Sequence, residues 1–352
     1  MGKHAVVKLY NTTTWDVTTI PEAMEKPELL RYSADGKLLA IMDLRNESTS
    51  VLSIYDVRGA TPALLRSIEI GQVINRNDSF SFCPTGEFLI VGGNLGNKLI
   101  VYRVSDWSIV KTRFNDAWLE RSQINGMRFS PDGKYLYVVG TTTHPDGALA
   151  VYDMVNWVRL PQYKIPSIHS AYWIDISSTI SQMALYDGDT LQFINLQNWQ
   201  VVHVKKIAGG DSYNAISYSE DGRVIAVAGG STGAVVFDTS TFEQVTTLTD
   251  LGVSRVGAVM FANKTLPATP FAREVIGEPD LGVLLFKEHD MFTVRDPRSY
   301  AILQQITKSN VTAAHGLDAL TMDAYMPSES AISNDGELIV TTWIKSSGGS
   351  NA

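Results

Sequence analysis

The sequence predicts an all-β fold, a seven-bladed β-propeller whose last blade is closed by strands from the two ends of the chain. Three observations carry this expectation. A unit of roughly 45 residues recurs along the 352-residue chain. Each unit holds a small residue, a tight turn and a short apolar strand. Each also closes with an aromatic residue and a polar one, a short turn, and a second aromatic at fixed spacing.

The glycine turns come first in each unit. They are Ser33-Ala34-Asp35-Gly36, Cys83-Pro84-Thr85-Gly86, Ser130-Pro131-Asp132-Gly133, Ser219-Glu220-Asp221-Gly222 and Ser333-Asn334-Asp335-Gly336. Gly supplies the positive φ that a tight hairpin needs, and Asp can accept from nearby backbone N–H groups. The strands that follow are 38–42, 88–91, 135–139, 224–227 and 338–341. Short, continuous apolar runs of this kind belong to strands covered on both faces, and helical periodicity is absent.

The aromatic signature closes the unit. It runs Tyr10-Asn11 to Trp15, Tyr102-Arg103 to Trp107, Tyr152-Asp153 to Trp157, Ile194-Asn195 to Trp199 and Phe237-Asp238 to Phe242. Arg295-Asp296 to Tyr300 keeps the spacing, whereas Tyr55-Asp56 is followed by a longer turn. The Asp or Asn is expected to form an Asx-turn and the ring to pack on the adjacent blade. A ligand-binding aromatic cage is the rival reading, but recurrence once per repeat favours the structural role.

Together the signatures give blades at about 27–70, 76–113, 122–165, 168–207, 211–249 and 254–306. Blade four has Ser177-Ser178-Thr179 in place of its glycine turn, and blade six carries an insertion. The carboxyl end, 330–343, has only the inner-strand signature, and the amino end, 5–20, only the outer one. Pairing them in one composite blade removes two open sheet edges, so the whole of 1–352 is expected to be a single domain.

Hydrophobic residues make up 44% of the chain and charged residues 19%, which supplies a packed core and argues against disorder. The net charge of −8 argues against nucleic acid as a partner. The stretch Met1-Gly2-Lys3-His4-Ala5-Val6-Val7 lacks the apolar core of a secretory signal, and no run approaches the ~18 apolar residues of a membrane span. The expectation is an intracellular product with no membrane insertion. Cys83 can form no internal disulfide and stands where other units have Ser, so a structural thiol is expected rather than a nucleophile.

The Ser-Pro-Asp-Gly turn and the Tyr-Asp pairs resemble those of WD-repeat propellers over nearly the whole chain. The Gly-His dipeptide of that family is missing, and Tyr-Asp or Phe-Asp replaces Trp-Asp, so the chain is similar to a relative of the family and not to a typical member. The resemblance implies that one face carries the loops 43–50, 92–98, 140–147, 287–290 and 310–329. Thr/Ser-rich turns such as Tyr10-Asn11-Thr12-Thr13-Thr14-Trp15 also resemble propeller proteins encoded by tailed bacteriophages. That likeness implies a virion component of the tail or capsid surface.

Two segments are long, Asn263 to Asp280 within blade six and Thr307 to Glu329 between blades six and seven. Long loops in a compact domain are usually functional or mobile. Their apolar residues Leu266, Phe271, Val275, Ile276, Leu317, Leu320, Met322, Tyr325 and Met326 are candidates for docking on other proteins, such as neighbouring subunits of a large assembly.

Motifs that carry chemistry are sparse. Gly92-Gly93-Asn94-Leu95-Gly96-Asn97-Lys98 has the wrong spacing for a phosphate loop, and Leu99 stands where Ser or Thr is required. The six histidines show no metal-ligand spacing. A metal or acid–base site would use His144 with Asp146, or His289 with Asp290, although a solvated loop is the plainer reading of each pair. No catalytic residue, metal set or cofactor emerges. The expected function is therefore a non-catalytic protein–protein interaction scaffold. A cytoplasmic adaptor is one alternative. A propeller enzyme or small-ligand receptor of the lactonase type is another; convergent Asp, Glu, Asn and His side chains in the central channel would favour it, and a lining of Ser, Ala and Val would count against it.

Overall fold

The structure is a computed structural model. It describes residues 5–11, 14, 16–20, 24–45, 49–70, 80–92, 99–112, 114, 116–177, 179–207, 213–219, 221–229, 234–248, 258–262, 283–287, 291–296, 299–307, 325–333 and 338–345.

Among the described residues the strands form seven four-stranded sheets. The chain opens with β1 (Ala5–Asn11) and β2 (Val17–Thr19), and six antiparallel meanders follow. The first is β3 (Pro27–Tyr32), β4 (Leu38–Leu44), β5 (Ser50–Asp56) and β6 (Ala63–Ile70). The second is β7 (Phe80–Phe82), β8 (Phe88–Val91), β9 (Ile100–Arg103) and β10 (Ile109–Lys111). After the short helix α1 (Ala117–Glu120) come β11 (Ser122–Phe129), β12 (Tyr135–Thr142), β13 (Leu149–Asp153) and β14 (Val158–Arg159). The fourth is β15 (Trp173–Ser177), β16 (Gln182–Tyr186), β17 (Thr190–Asn195) and β18 (Gln200–Lys206). The fifth is β19 (Tyr213–Tyr218), β20 (Val224–Gly229), β21 (Ala234–Asp238) and β22 (Gln244–Leu248). The sixth is β23 (Ala258–Ala262), β24 (Val283–Lys287), β25 (Met291–Arg295) and β26 (Ile302–Thr307). Last come β27 (Tyr325–Ile332) and β28 (Leu338–Lys345), which join the opening strands in the order β2-β1-β28-β27.

The first strands of successive sheets adjoin: β3 and β7, β7 and β11, β11 and β15, β15 and β19, β19 and β23, β23 and β27, and finally β27 and β3. The circuit returns to its start, and the chain is an all-β propeller. Each sheet is buried between two neighbours, which explains the unbroken apolar runs. Leu39, Ala40 and Ile41 of β4 are wholly buried, alternating between the faces toward the previous and the next sheet.

Local chemistry fixes the turns. Ser130 Oγ donates to Asp132 Oδ1 at 2.6 Å, Tyr135 N–H donates back to Ser130 Oγ at 2.9 Å, and Gly133 takes φ +71°. Ser33 with Asp35 and Ser219 with Asp221 repeat the arrangement. Buried Cys83 occupies the same place, its Sγ 3.1 Å from Thr85 Oγ1, as a structural thiol would. In blade four Ser181 takes the left-handed conformation at φ +50°.

The aromatic signature has a sharper geometry than its spacing discloses. Trp107, Trp157, Trp199, Phe242 and Tyr300 all lie in the left-handed region, at φ between +57° and +60°. That conformation costs a non-glycine residue roughly 1–2 kcal/mol, and packing and turn hydrogen bonds offset it. Asp153 Oδ1 accepts from Val155 and Asn156 N–H, and Asp238 Oδ1 from Ser240 and Thr241 N–H. The rings then lie on the preceding blade: Trp157 is 5.3 Å from Phe88, Trp199 is 6.0 Å from Tyr137, and Phe242 is 4.8 Å from Phe193.

In the closing sheet β1 pairs along its whole length with β28, from Ala5 opposite Ile344 to Asn11 opposite Leu338. A row of polar residues crosses it, Thr19, Lys8, Thr341 and Ser330 in register. Lys8 is only 1% exposed and donates to Thr19 Oγ1 at 2.7 Å.

Two sequence readings are corrected. β27 begins at Tyr325 and not near Ser330, so Tyr325 and Met326 belong to a strand and not to the connecting loop. The strand tolerates Pro327 because it is an edge strand, and its pairing shifts register between Pro327 and Ser330. The single turn of α1 was not expected; Asp116 caps it by accepting from Trp118 N–H at 3.1 Å.

Candidate functional site

Two clusters of charged side chains stand out, a corner of blade three and the wall of the central channel.

The corner grows from the loop between β12 and β13. Gly147 takes φ +86° there, and a Cβ at that position would sit 2.0 Å from the Ile165 carbonyl oxygen, so only glycine fits. Trp118 of α1 donates through Nε1 to the Gly147 carbonyl at 2.8 Å. This fold of the loop turns Asp146 inward, where its Oδ2 accepts from Arg159 Nη2 at 2.6 Å. Arg159 Nη1 lies 3.6 Å from Asp116 Oδ1, and Tyr152 donates to Asp116 Oδ2 at 2.6 Å. Lys164 Nζ approaches Asp146 Oδ1 from the exposed side at 3.7 Å.

Burial pushes the Asp146 carboxyl up, but the Arg159 hydrogen bond and the charges of Arg159, His144 and Lys164 outweigh it and hold the group below the usual carboxylate value. Burial raises the Tyr152 phenol well above its ordinary value, with Asp116 adding to the effect. His144 Nδ1 accepts from Asp146 N–H at 3.2 Å and lies 3.7 Å from Asp146 Oδ2. The structure thus brings His144 and Asp146 together, but with Arg159 on the carboxylate oxygen nearest the imidazole. The arrangement is a compensated ion network that fastens α1, the loop and β14 to one another.

The channel wall is built from the first strands. Successive residues there point to opposite faces of the sheet, toward one neighbouring blade or the other. Arg31, Ser81, Arg128, Asp175 and Ser217 are partly exposed, each two positions before the Ser or Cys that opens its turn. Ala331 holds that position in β27 and is buried. Arg128 Nε lies 3.6 Å from Asp175 Oδ1, and Tyr218 N–H donates to Asp175 Oδ2 at 2.8 Å. Arg31 and Arg128 each donate through Nη1 to the carbonyl of the preceding residue, at 2.9 and 3.0 Å. Burial pushes the Asp175 carboxyl above its usual value, against the pull of Arg128, the Tyr218 and Ile176 N–H groups and Arg31.

Among the described residues no group of three or more His, Cys, Asp or Glu side chains could hold a metal ion. The remaining candidates from the sequence, Leu266, Phe271, Val275, Ile276, Leu317, Leu320, Met322, His289 and Asp290, lie outside the described residues, and Tyr325 and Met326 are placed by backbone alone. The sequence reading missed Arg31, Arg128 and Asp175, although a signal existed: their shared offset from the turn serine. It also missed Asp116 and Arg159, which no local pattern marks.

No protein-family model matches the chain, and no curated protein matches it. Among the described residues no helix is long and apolar enough to cross a membrane.

Proposed function

We propose that the chain is a seven-bladed, non-catalytic scaffold that binds other proteins through its rim. The observation that carries this reading is where the exposed apolar side chains lie. Among the described residues, ten of the thirteen large exposed apolar residues sit on fourth strands, all but Val155, Tyr172 and Ile180. β18 holds the densest group, with Val201, Val202 and Val204 between 37% and 51% exposed. As an edge strand it also offers unpaired backbone groups, so a partner segment can add to the sheet while covering the valines.

The setting we propose, a virion tail or capsid surface, rests on the bacteriophage-like turns; it falls if purified particles of the encoding genome lack the chain. The rim reading has its own test. Affinity isolation of the tagged wild type is compared with a Val202→Lys, Val204→Lys variant. The variant should melt like the wild type, because both side chains are exposed, and lose the proteins that co-isolate. Recovery of the same proteins in the same amounts would rule out this edge.

A further inference from the structure

We propose that the turn from His144 to Gly147 is a latch worked by a proton, closed while the His144 imidazole is neutral and released when the ring is protonated. The latch does not rest on the scaffold reading.

Its chemistry follows from the other turns of the chain. Those turns are held by a side-chain oxygen that accepts from the backbone N–H two residues on: Asp56 from Arg58, Asp106 from Ser108, Asp153 from Val155, Asn195 from Gln197 and Asp238 from Ser240. In the loop between β12 and β13 a ring nitrogen takes this role. His144 Nδ1 accepts from Asp146 N–H at 3.2 Å, and Gly147 N–H closes the same turn on the His144 carbonyl at 3.1 Å. Pro145 fixes the backbone at the second position. Nδ1 lies as many bonds from the backbone as the Oδ1 of Asp or Asn, so the ring can stand in for that oxygen. One property changes. A carboxylate or an amide accepts throughout the neutral range, whereas Nδ1 accepts only while its lone pair is free, so the neutral ring here carries its proton on Nε2.

Protonation sets an Nδ1–H donor against the Asp146 N–H donor. Asp146 Oδ2 lies 3.7 Å from Nδ1, but it already accepts from Arg159 Nη2 at 2.6 Å, and the ring can bond to it only by leaving the amide. The surrounding charges offer no further compensation: Asp146 and Asp116 already balance Arg159 and Lys164. Arg121 and His169 join the loop through their carbonyls, which accept from Thr143 and Thr142 N–H. The His144 side chain is 13% exposed, so a proton reaches it from solvent. The turn also carries the Asp146 carboxylate that holds Arg159 and the Gly147 carbonyl that holds Trp118, so its release loosens the ties to β14 and α1.

Nuclear magnetic resonance of the full chain, from about pH 8 to about pH 5, tests the latch through the His144 ring nitrogens and the exchange protection of the Asp146 amide. The ring should be the Nε2–H tautomer at the upper end. As it takes up a proton, protection of the Asp146 amide should fall by about five- to tenfold, the loss of one hydrogen bond. His144→Asn keeps an acceptor that takes up no proton, so its protection should stay level across the range. An Nδ1–H tautomer at the upper end, protection that does not fall as the ring titrates, or the same fall in His144→Asn would overturn the proposal.

Discussion

At the blade-three corner and in the closing sheet charge is taken out of water, and the two places handle it in opposite ways. At the blade-three corner Arg159 lies within 3.6 Å of the carboxylates of both Asp116 and Asp146, and Asp146 stays ionised more readily than in water. In the closing sheet Lys8 is buried with a threonine hydroxyl as its hydrogen-bond acceptor, and burial pulls its ammonium down to about 8. Val6 and Tyr10, on the same face of β1, pack against Phe292 and Val294 of blade six, so Lys8 faces that blade with threonines beside it as its polar neighbours in the sheet. The contrast teaches that burial alone does not decide ionisation. A counter-charge preserves it, and hydroxyls alone let it go.

The largest effect should come from breaking the compensated site. Arg159→Met keeps much of the volume but leaves two carboxylates in place, with side chains 10% and 17% exposed. Removing one partner of a buried ion pair typically costs about 3–5 kcal/mol. Urea unfolding at neutral pH should show a loss of that order, and the loss should shrink on acidification as Asp146, held below the usual carboxylate value in the wild type, takes up its proton. A loss under about 1 kcal/mol would mean that water, and not Arg159, carries the compensation.

Lys8→Met removes the uncompensated charge and should act in the other direction. The folded-state value of Lys8, about 8, lies below its unfolded value near 10.5. Below pH 8 both states hold the proton, and the fold carries the desolvation cost. Between pH 8 and 10.5 the folded state releases the proton first, so wild-type stability gains with rising pH. The shift corresponds to roughly 3 kcal/mol at 1.36 kcal/mol per pKa unit. The stability of Lys8→Met relative to wild type should therefore be greatest at pH 7 and fall by that order by pH 10.5. A difference independent of pH would show that Lys8 keeps its ordinary value.

How much of this was legible in the sequence follows from the range of the interactions. The glycine turns and Asx-turns were legible because Ser130, Asp132 and Gly133 complete each other within a few residues. The charged residues of the first strands were half legible: the offset that selects Arg31 and Arg128 is local, but only the ring shows that Arg128 meets Asp175 of the next blade. The corner was not, because Asp116, Tyr152 and Arg159 meet only once two loops and an outer strand have folded together. Lys8 misleads outright. Between Val7 and Leu9 it has the pattern of a solvent-facing residue, and pairing with β28 buries it. Pro327 misleads in the opposite sense, since proline argues against a strand unless the strand lies at an edge.

The smallest effect should come from Lys164, and it sharpens the contrast by marking where the compensated site ends. Its ammonium stands 3.7 Å from Asp146 Oδ1, about the same distance as Arg159 Nη1 from Asp116, but its side chain is 49% exposed against 9% for Arg159. Distance alone would rank the two contacts as equals; solvent screening separates them. Lys164→Gln should lower stability by no more than about 0.5 kcal/mol, and the small loss should vanish in high salt. A salt-insensitive loss comparable to that of Arg159→Met would place Lys164 inside the network, making the network two cations with two carboxylates and not a single buried guanidinium shared by two acids.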